Sequence, residues 1–494
     1  MAIKGFASSI STKNFSEQYK EFNFNLLGKT DLSVTSVGFG SYRIDIRSDI
    51  NKKSLKQALL SGINLIDTSS TYTNGNSELL IGKVLKELTD SNDLLRENLV
   101  IVTKGGYLQG HNYDLSQKLK KENNAFPDLV EYQKGLEHCL HPEFLEDQIN
   151  RSLERLGIET IDVYLLHNPE YYLKWAEKKN IDLILARKEY YSRIKKAFEY
   201  LEKEVQKGRI KNYGISSNTF PADSNDYSFT SLDTVIKIAE EIAENNHFSI
   251  IEFPMNLAET AASRQINQSN NMTLLQVAEA KNLGVLINRP LNAFHNNKLI
   301  NLAEPVIINE APSVEFINNT LENIDKLEQL ISQKVYENNA FLLEIEKYLF
   351  VFNELQFSWL DINNISNWQS ALNQYFLPRF YYSKNMIKKS ALKNKESENR
   401  LIAEIDKLFE LISSYFNNEH LQLIIRIKEN IVKQLPELSS RKNLSSMAIC
   451  SLRSTDGITA VLVGMTQLSY VEDVIKELQL SPIKDIDWIK VEID

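Results

Sequence analysis

Cysteine is scarce in this sequence, since Cys139 and Cys450 are the only two among 494 residues. Two cysteines supply neither a disulfide framework nor a four-cysteine zinc site, and they favour a reducing compartment. Long apolar runs are also missing, because no stretch approaches the length of about 18 consecutive apolar residues that spans a bilayer. We therefore expect a cytoplasmic protein without a membrane partner.

An excess of basic charge is lacking as well. The sequence has 56 Lys and Arg against 65 Asp and Glu, which gives a formal net charge of −9. A mildly acidic surface argues against a general nucleic-acid binder. Apolar residues make up 43% of the chain, enough for a sizeable core, and this excludes wholesale disorder.

Short apolar segments alternate with helix-length segments from about residue 23 onward. Eight of the short segments have the composition of strands buried on both faces. They lie at residues 34–39, 64–67, 99–104, 161–167, 210–216, 249–253, 284–288 and 460–464. Residues 143–156 show the helical pattern best, with Phe144 and Ile149 on one face and Arg151 and Glu154 opposite. The alternation predicts an α/β fold, a (β/α)8 TIM barrel.

The interval between the predicted seventh and eighth strands is far longer than one crossover helix requires. Helical periodicity at residues 324–331 and 401–411 predicts a large helical insertion there. We expect an N-terminal extension at 1–25, a barrel formed by 26–300 and 440–494, and an inserted helical subdomain at 301–439. The segment 384–400 is predicted to be an exposed helix or linker.

Two roles for the insert follow from its place in the chain. The loop after strand seven opens at the C-terminal mouth of a barrel, so the insert is predicted to fold over the site and exclude water. Phe376, Phe380 and Tyr381 are then the candidates that reach the substrate. Alternatively, these aromatic residues form a core of the insert, which serves as a surface for a homo-oligomer or a docking partner.

Four titratable side chains fall at the ends of successive predicted strands, where (β/α)8 barrels carry their catalytic groups. Asp67 ends strand two, Tyr72 follows in the next loop, Lys104 ends strand three and His167 ends strand four. Each residue alone is explained as a cap, an ion pair, a packing residue or a satisfied polar group. Together they would bring an acid, a phenol, an ammonium and an imidazole to one mouth.

The segments that carry these residues resemble the aldo/keto reductase family. They are 62–72, 75–82, 101–106, 151–157, 161–169, 208–216 and 461–465, in the order of the family's pattern, and the resemblance covers about residues 26–292 and 445–478. It implies that Asp67, Tyr72, Lys104 and His167 form the catalytic tetrad of a nicotinamide-dependent oxidoreductase. The expected substrate is an aldehyde or ketone, or the corresponding alcohol or sugar.

The roles of the four residues follow from the chemistry of hydride addition, which builds alkoxide charge and requires a proton donor. Tyr72 is the expected donor. A tyrosine has an ordinary pKa near 10, so Lys104 is expected to depress the pKa of Tyr72. Asp67 is expected to hold the ammonium in place, and His167 to orient the carbonyl oxygen.

The resemblance also implies NADP(H) in preference to NAD(H), with Ser216 at the nicotinamide carboxamide. Barrels of this class bind phosphates through the loops after strands seven and eight, so the backbone N–H groups of Gly464, Met465 and Thr466 are candidates for the pyrophosphate. The other candidate cofactor-binding residues are Ser217, Glu252, Arg289, Pro290 and Leu291.

Five positions depart from the family's pattern. Ser217 stands where asparagine is common, Glu252 where glutamine is common, and Asn288 where an aromatic residue often stacks on the nicotinamide. Tyr470 and Val474 occupy the usual adenosine-binding positions. An alternative function is therefore a cofactor-binding regulatory or interaction protein with little turnover.

Two other motifs, a glycine-containing run and a His/Cys cluster, give weaker signals. Arg43 in the run 38–43 stands where a dinucleotide-binding fingerprint needs its third glycine, which argues against a Rossmann fold. His138, Cys139 and His141 are residue types that bind metals, but no second cluster completes a tetrahedral site, so a structural role is favoured.

Overall fold

Eight parallel strands close into a barrel in the computed structural model, which describes residues 2–295, 298–305, 311–333, 339–356, 358–390, 395–483 and 486–493. In chain order they are β1 (Val37–Gly40), β2 (Leu65–Asp67), β3 (Val100–Gly105), β4 (Ile161–His167), β5 (Ile210–Ser216), β6 (Phe248–Pro254), β7 (Gly284–Asn288) and β8 (Ala460–Gly464). Each strand pairs in parallel with the next, and β8 pairs with β1. The predicted (β/α)8 TIM barrel is confirmed.

The prediction for the first strand is wrong in its bounds, because residues 34–39 contain parts of two strands. Ser33–Thr35 pairs antiparallel with Phe24–Leu26, and the chain joins the barrel only at β1. Hydrogen bonds mark the change of partner. The N–H of Ser36 donates to the carbonyl of Asn23 at 2.9 Å, and the N–H of Thr35 donates to Oδ1 of Asn64 at 3.0 Å.

Helices connect the barrel strands as expected. They are Asp49–Leu60, Asn76–Asp90, Pro142–Leu156, Leu183–Gln206, Leu232–Ile242, Leu274–Ala280, Leu444–Arg453 and Leu468–Leu478. Pro142–Leu156 shows why the sequence forms them, because proline fills its first turn and Gly157 ends it with a φ of 64°. Its buried face includes Phe144 and Ile149, as the apolar pattern predicts.

The loops at the C-terminal end of the barrel hold elements that the sequence pattern did not predict. A small antiparallel sheet of Tyr107–Leu108, Val130–Gln133 and Leu136–His138 follows β3, together with the helix His111–Lys121. The short helices Tyr171–Lys178 and Ala261–Arg264 follow β4 and β6. A two-stranded sheet of Asn292–His295 and Lys298–Asn301 follows β7.

The N-terminal segment packs against the opposite end of the barrel. Ala7 precedes the helix Ser9–Ser16 and belongs to the apolar cluster that fills the barrel interior. The N–H of Ala7 donates to the buried carboxylate of Asp162 at 2.7 Å. Asp162 also accepts from Arg96 Nη2 and from the N–H of Ile101, each at 2.8 Å. One buried carboxylate therefore ties the N-terminal segment to β3 and β4.

The chain separates into two compact units, Met1–Ile300 with Ile431–Ile493 and Asn301–Asn430. The helices Val314–Ser332, Asn339–Leu349, Phe352–Leu355, Ile365–Ala371, Leu377–Lys389 and Glu396–Gln434 fall between β7 and β8 in chain order. The second unit has its own core around Trp359 and Trp368. Phe376 and Phe380 are buried in that core, as in the core interpretation, whereas Tyr381 is exposed.

Two helices account for most of the segment 384–400, of which residues 391–394 lie outside the described residues. Within the described parts of the chain, no helix combines the length and the apolar composition needed to cross a membrane.

Candidate active site

The predicted tetrad lies at the C-terminal ends of neighbouring barrel strands. Asp67 is the last residue of β2, Lys104 is the last but one of β3, and His167 is the last of β4. Tyr72 begins the 3-10 turn Tyr72–Gly75 that follows β2. The structure brings all four residues together at one mouth of the barrel.

Lys104 is the centre of the site, and its side chain is fully buried. Its Nζ donates to Oδ1 of Asp67, and lies 3.2 Å from the carbonyl oxygen of Thr68 and 3.5 Å from the hydroxyl of Tyr72. Oε2 of Glu252 lies 3.1 Å from the same nitrogen. The ammonium therefore faces the phenol on one side and two carboxyl groups on the others.

Charge keeps this lysine protonated. Burial alone lowers the pKa of Lys104, but the carboxylates of Asp67 and Glu252 outweigh burial and raise the pKa above its ordinary value. The pKa of Asp67 is raised, first by burial and then by Glu252, against the opposing effect of Lys104. The site thus holds a permanent cation beside acidic groups that compete for it.

Lys104 lowers the pKa of Tyr72 as expected, but the net shift of that pKa is upward. Burial raises the pKa of Tyr72 above its ordinary value, and the nearby ammonium of Lys104 offsets only part of this effect. Removal from water disfavours the phenolate because its charge loses solvation. Tyr72 is therefore a neutral phenol at physiological pH, which is the protonation state of a proton donor.

The turn after Tyr72 is strained. Thr73 and Asn74 have φ values of 45° and 60°, a conformation that a β-branched residue such as Thr73 rarely adopts. Oγ1 of Thr73 donates to the carbonyl of Ile44 at 2.7 Å, which fixes the turn. Such strain persists only where surrounding contacts compensate for it, and it is common at functional sites.

His167 is the fourth residue of the tetrad at the mouth of the barrel. Its ring lies 6.0 Å from the ring of Tyr72, centroid to centroid, at an angle of 79°. Its Nδ1 lies 3.2 Å from Oγ of Ser69. Burial lowers the pKa of His167 well below its ordinary value, and the charge of Lys104 adds to the effect. The imidazole is therefore neutral and carries one N–H, which can donate to a carbonyl oxygen.

The predicted cofactor residues of β5 to β7 form one hydrogen-bonded group. Oε1 of Glu252 accepts from Oγ of Ser216 at 3.0 Å and from Nδ2 of Asn288 at 2.9 Å. Oδ1 of Asn288 is buried and has no hydrogen-bond partner in the described part of the chain. Ser217 does not join this group, because its Oγ donates to Glu170 at 2.9 Å.

The loop after β8 is anchored to the first barrel helix, Asp49–Leu60. Oγ of Ser54 donates to the carbonyl of Met465 at 2.5 Å, and Nδ2 of Asn51 donates to the carbonyl of Thr466 at 2.9 Å. Gly464 is exposed, and the helix Leu468–Leu478 that follows has no side-chain cap at its N-terminus. The loop therefore has a fixed backbone next to a helix N-terminus.

Arg289 follows β7 in a left-handed conformation with a φ of 52°. Its guanidinium pairs with Glu259 at 2.7 Å and lies over the ring of Phe294. Next to it, Pro290 is buried and Leu291 is partly exposed. Of the two positions that the family pattern uses for adenosine, Val474 is buried and Tyr470 is exposed.

Aromatic residues that the sequence reasoning missed surround the tetrad. The ring of Tyr42 lies 5.0 Å from Tyr72, and the ring of Tyr107 lies 4.7 Å from His167 and 5.0 Å from Tyr171. Tyr42 and Tyr107 each follow shortly after a predicted strand, which is a signal that could have identified them. Tyr171, on the short helix Tyr171–Lys178, follows its predicted strand by four residues and carries the same signal.

The motif of His138, Cys139 and His141 has structural partners. Nε2 of His138 is 2.8 Å from the carbonyl oxygen of His167, and burial lowers the pKa of His138 to about 4. Cys139 is buried, and its thiol donates to the carbonyl of Pro127 at 3.3 Å. Nδ1 of His141 accepts from the N–H of Glu143 at the start of the helix Pro142–Leu156.

The chain is similar to a known protein family and to individual members of known function or name. The model of the family described as "Aldo/keto reductase family" matches residues 36–334. The "NADH-specific methylglyoxal reductase" of Escherichia coli (strain K12) is 32% identical over 28% of this chain and 40% of its own length. The "Putative voltage-gated potassium channel subunit beta" of Schizosaccharomyces pombe is 30% identical over 31% of this chain and 38% of its own. The chain thus spans about two fifths of these relatives.

Solved structures are similar to the chain over most of its length at low identity. A holo-form aldo-keto reductase from Bacillus halodurans covers 94% of this chain and 93% of its own, with 14% identity and a TM-score of 0.46. An aldo/keto reductase from Klebsiella pneumoniae in complex with NADP and acetate covers 93% of this chain and 90% of its own, with 12% identity and a TM-score of 0.42.

Proposed function

The chain belongs to the aldo/keto reductase family, and from this membership we propose that it is an NAD(P)H-dependent oxidoreductase. It reduces an aldehyde or ketone, or oxidises the corresponding alcohol or sugar, with Tyr72 as proton donor. The observation that carries this proposal is the position of the Tyr72 hydroxyl 3.5 Å from the Lys104 ammonium, which the Asp67 carboxylate holds. Reductases among the curated relatives support the same class of reaction.

Each of the four residues of the tetrad has a separate role in carbonyl reduction. A bound nicotinamide supplies the hydride. Tyr72 donates its proton to the oxygen on which negative charge develops, and the ammonium of Lys104 stabilises the phenolate that remains. Asp67 and the carbonyl of Thr68 hold Lys104 in place. The neutral imidazole of His167 donates a hydrogen bond that orients the substrate oxygen.

The group formed by Ser216, Glu252 and Asn288 fits a nicotinamide carboxamide. An amide offers two N–H donors and one acceptor. The unpaired Oδ1 of Asn288 and the Oγ of Ser216, whose own proton goes to Glu252, supply acceptors for the two N–H groups. Ser217 contributes through Glu170, which fixes the end of β5.

The phosphates are assigned to the loops after β7 and β8. Backbone N–H groups of Gly464, Met465 and Thr466 bind the pyrophosphate, and Arg289, with Pro290 and Leu291, supplies the cation. We propose NADP(H) in preference to NAD(H), as the family resemblance implies. Because Val474 is buried and Tyr470 carries no cation, this preference depends on Arg289, which Glu259 also pairs.

A titration of protein fluorescence with NADPH and NADH tests the cofactor, and a panel of small aldehydes and ketones tests turnover. Tyr72→Phe should bind cofactor normally and lose at least about a hundredfold in kcat, the scale of acid–base assistance. Tyr42→Phe is the matched control, because it makes the same change in the ring that packs against Tyr72. Equal turnover in the two variants would refute the role of Tyr72.

A second candidate function is a cofactor-binding regulatory or interaction protein on the same barrel. It is favoured by the relative named as a channel subunit and by the departures at Glu252 and Asn288. In this case cofactor binds, but no carbonyl of the panel is turned over and Tyr72→Phe changes nothing.

The division of the chain into domains extends the proposal beyond the site. We propose a barrel of residues 26–300 and 440–494, an N-terminal extension at 1–25, and an inserted subdomain at 301–439 that docks a partner or a second copy. The scarcity of cysteine supports a cytoplasmic location. Measuring the solution mass with and without residues 301–439 tests the role in self-association.

A further inference from the structure

Two acidic side chains share one lysine inside the barrel. Nζ of Lys104 contacts the carboxylate of Asp67 and lies 3.1 Å from Oε2 of Glu252. The exposed fractions of the three side chains are 0% for Lys104, 5% for Asp67 and 1% for Glu252. Over the described ranges of the chain, no other cation forms an ion pair with either carboxyl group. Acidic groups therefore outnumber basic ones in a region shielded from water.

Glu252 has two hydrogen-bond donors, one cation and the carboxyl group of Asp67 as neighbours in this group. Oε1 accepts from Ser216 and Asn288, and Oε2 faces the ammonium of Lys104. Because few mobile dipoles surround the group, its charge acts on neighbours more strongly than the charge of a surface carboxylate.

We propose that Glu252 is a positioning residue that holds Lys104 together with Asp67, and that its charge makes the site favour the oxidised nicotinamide over the reduced form. The inference rests on the proposed function, which assigns Ser216 to the carboxamide and so places Glu252 one hydrogen bond away from it. The oxidised ring carries a positive charge that the reduced ring lacks. A buried carboxylate beside the ring therefore stabilises the oxidised form selectively.

The consequence is a lower midpoint potential for the bound couple, so that the bound reduced nicotinamide is a stronger hydride donor. A glutamine at position 252 would occupy the same volume and keep an oxygen for the hydrogen bonds of Ser216 and Asn288, but it would carry no charge and would turn its NH2 group toward Lys104. The effect of the charge can therefore be separated from the effect of shape by one isosteric change.

The test is a set of equilibrium binding titrations on the full-length protein with NADP⁺, NADPH, NAD⁺ and NADH. For the cofactor pair that binds, Glu252→Gln should raise the ratio of the Kd of the oxidised form to the Kd of the reduced form by at least about tenfold. This corresponds to an upward shift of about 30 mV in the midpoint potential of the bound two-electron couple.

Glu137→Gln is the matched control. Glu137 is also a buried carboxylate paired with a lysine, Lys120, but it lies in the small sheet after β3. This variant should leave the ratio within about twofold of the wild-type value, since its charge lies outside the group around Lys104.

The outcomes separate the inference from the proposed function. If the wild-type protein binds none of the four cofactors, the proposed function is wrong and the inference is wrong with it. If the wild-type protein binds cofactor and a folded Glu252→Gln variant shows an unchanged ratio, the inference alone is wrong. Should Glu252→Gln fail to fold, Glu252→Met removes the same charge with a side chain of similar length, and the same shift in ratio is required of it.

Discussion

Replacing Lys104 with methionine removes the cation that lies 3.5 Å from the hydroxyl of Tyr72. At that distance, and with an effective dielectric constant of about 20, an ammonium stabilises a phenolate by at most about 5 kcal/mol. One pKa unit corresponds to about 1.4 kcal/mol, so the pKa of Tyr72 should rise by at most about 3 to 4 units in the variant. This increase in the pKa of Tyr72 adds to the increase that burial already causes.

The assay is the dependence of kcat on pH, with a carbonyl substrate that the wild-type protein reduces. Lys104→Met should lose at least about a hundredfold in kcat, because the phenolate left after proton donation is no longer stabilised. Tyr72 acts as an acid only while it is protonated, so a higher pKa moves the alkaline limb of the profile to higher pH. Lys104→Arg keeps a cation and should retain more activity, and Lys120→Met controls for the loss of a lysine elsewhere.

Stability gives a second measurement on the same variant. Without Lys104, burial and Glu252 act unopposed on Asp67, so its folded-state pKa rises further above the unfolded value of about 4. An acid whose pKa is raised on folding stabilises the protein fully below the unfolded pKa, and that stability is lost as pH rises. The free energy of unfolding of Lys104→Met should therefore fall with pH above about 4.

The kinetic measurement can refute the role of Lys104. A folded Lys104→Met variant with a near-normal kcat and an unchanged alkaline limb in its pH profile would show that the proton comes from another group.

Three further predictions concern stability. Asp162→Asn, which breaks the buried ion pair with Arg96, should lower the free energy of unfolding in urea by about 3 kcal/mol, whereas the exposed Glu159→Gln should change it little. Phe380→Ala in the core of the second unit should cost about 3 to 5 kcal/mol, against less than about 0.5 for the exposed Tyr381→Ala. Burial raises the pKa of Glu328 to about 7, so this unit should lose stability as pH rises from about 4.5 to 7, and Glu328→Gln should remove that dependence in pH-dependent thermal unfolding.

The strands and the tetrad could be predicted because both depend on local sequence. A strand buried on both faces needs an apolar run, and the catalytic candidates of a barrel lie directly after such runs. Asp67, Lys104 and His167 end their strands, so the topology alone brings them together. The first strand was misplaced because residues 34–39 are apolar on both sides of Ser36, where the chain changes partner.

The contacts of Glu252 could not be predicted from the sequence in the same way. The sequence showed a glutamate where the family has glutamine, but not that its Oε2 reaches Lys104, since β3 and β6 lie on different sides of the barrel. The net pKa direction of Tyr72 was also missed, because charge partners can be read from strand ends and the extent of burial cannot. His138 comes from a loop whose folding no short pattern encodes.

The departures at positions 252 and 288 are physically coupled. Oε1 of the buried Glu252 receives hydrogen bonds from Ser216 and from the amide of Asn288. An aromatic residue at position 288 would withdraw one of these donors and leave a buried carboxylate oxygen less satisfied, at a cost of about 1 to 3 kcal/mol. The carboxyl at 252 is therefore better satisfied with a donor at 288, and the oxygen of the same amide has no hydrogen-bond partner among the described residues.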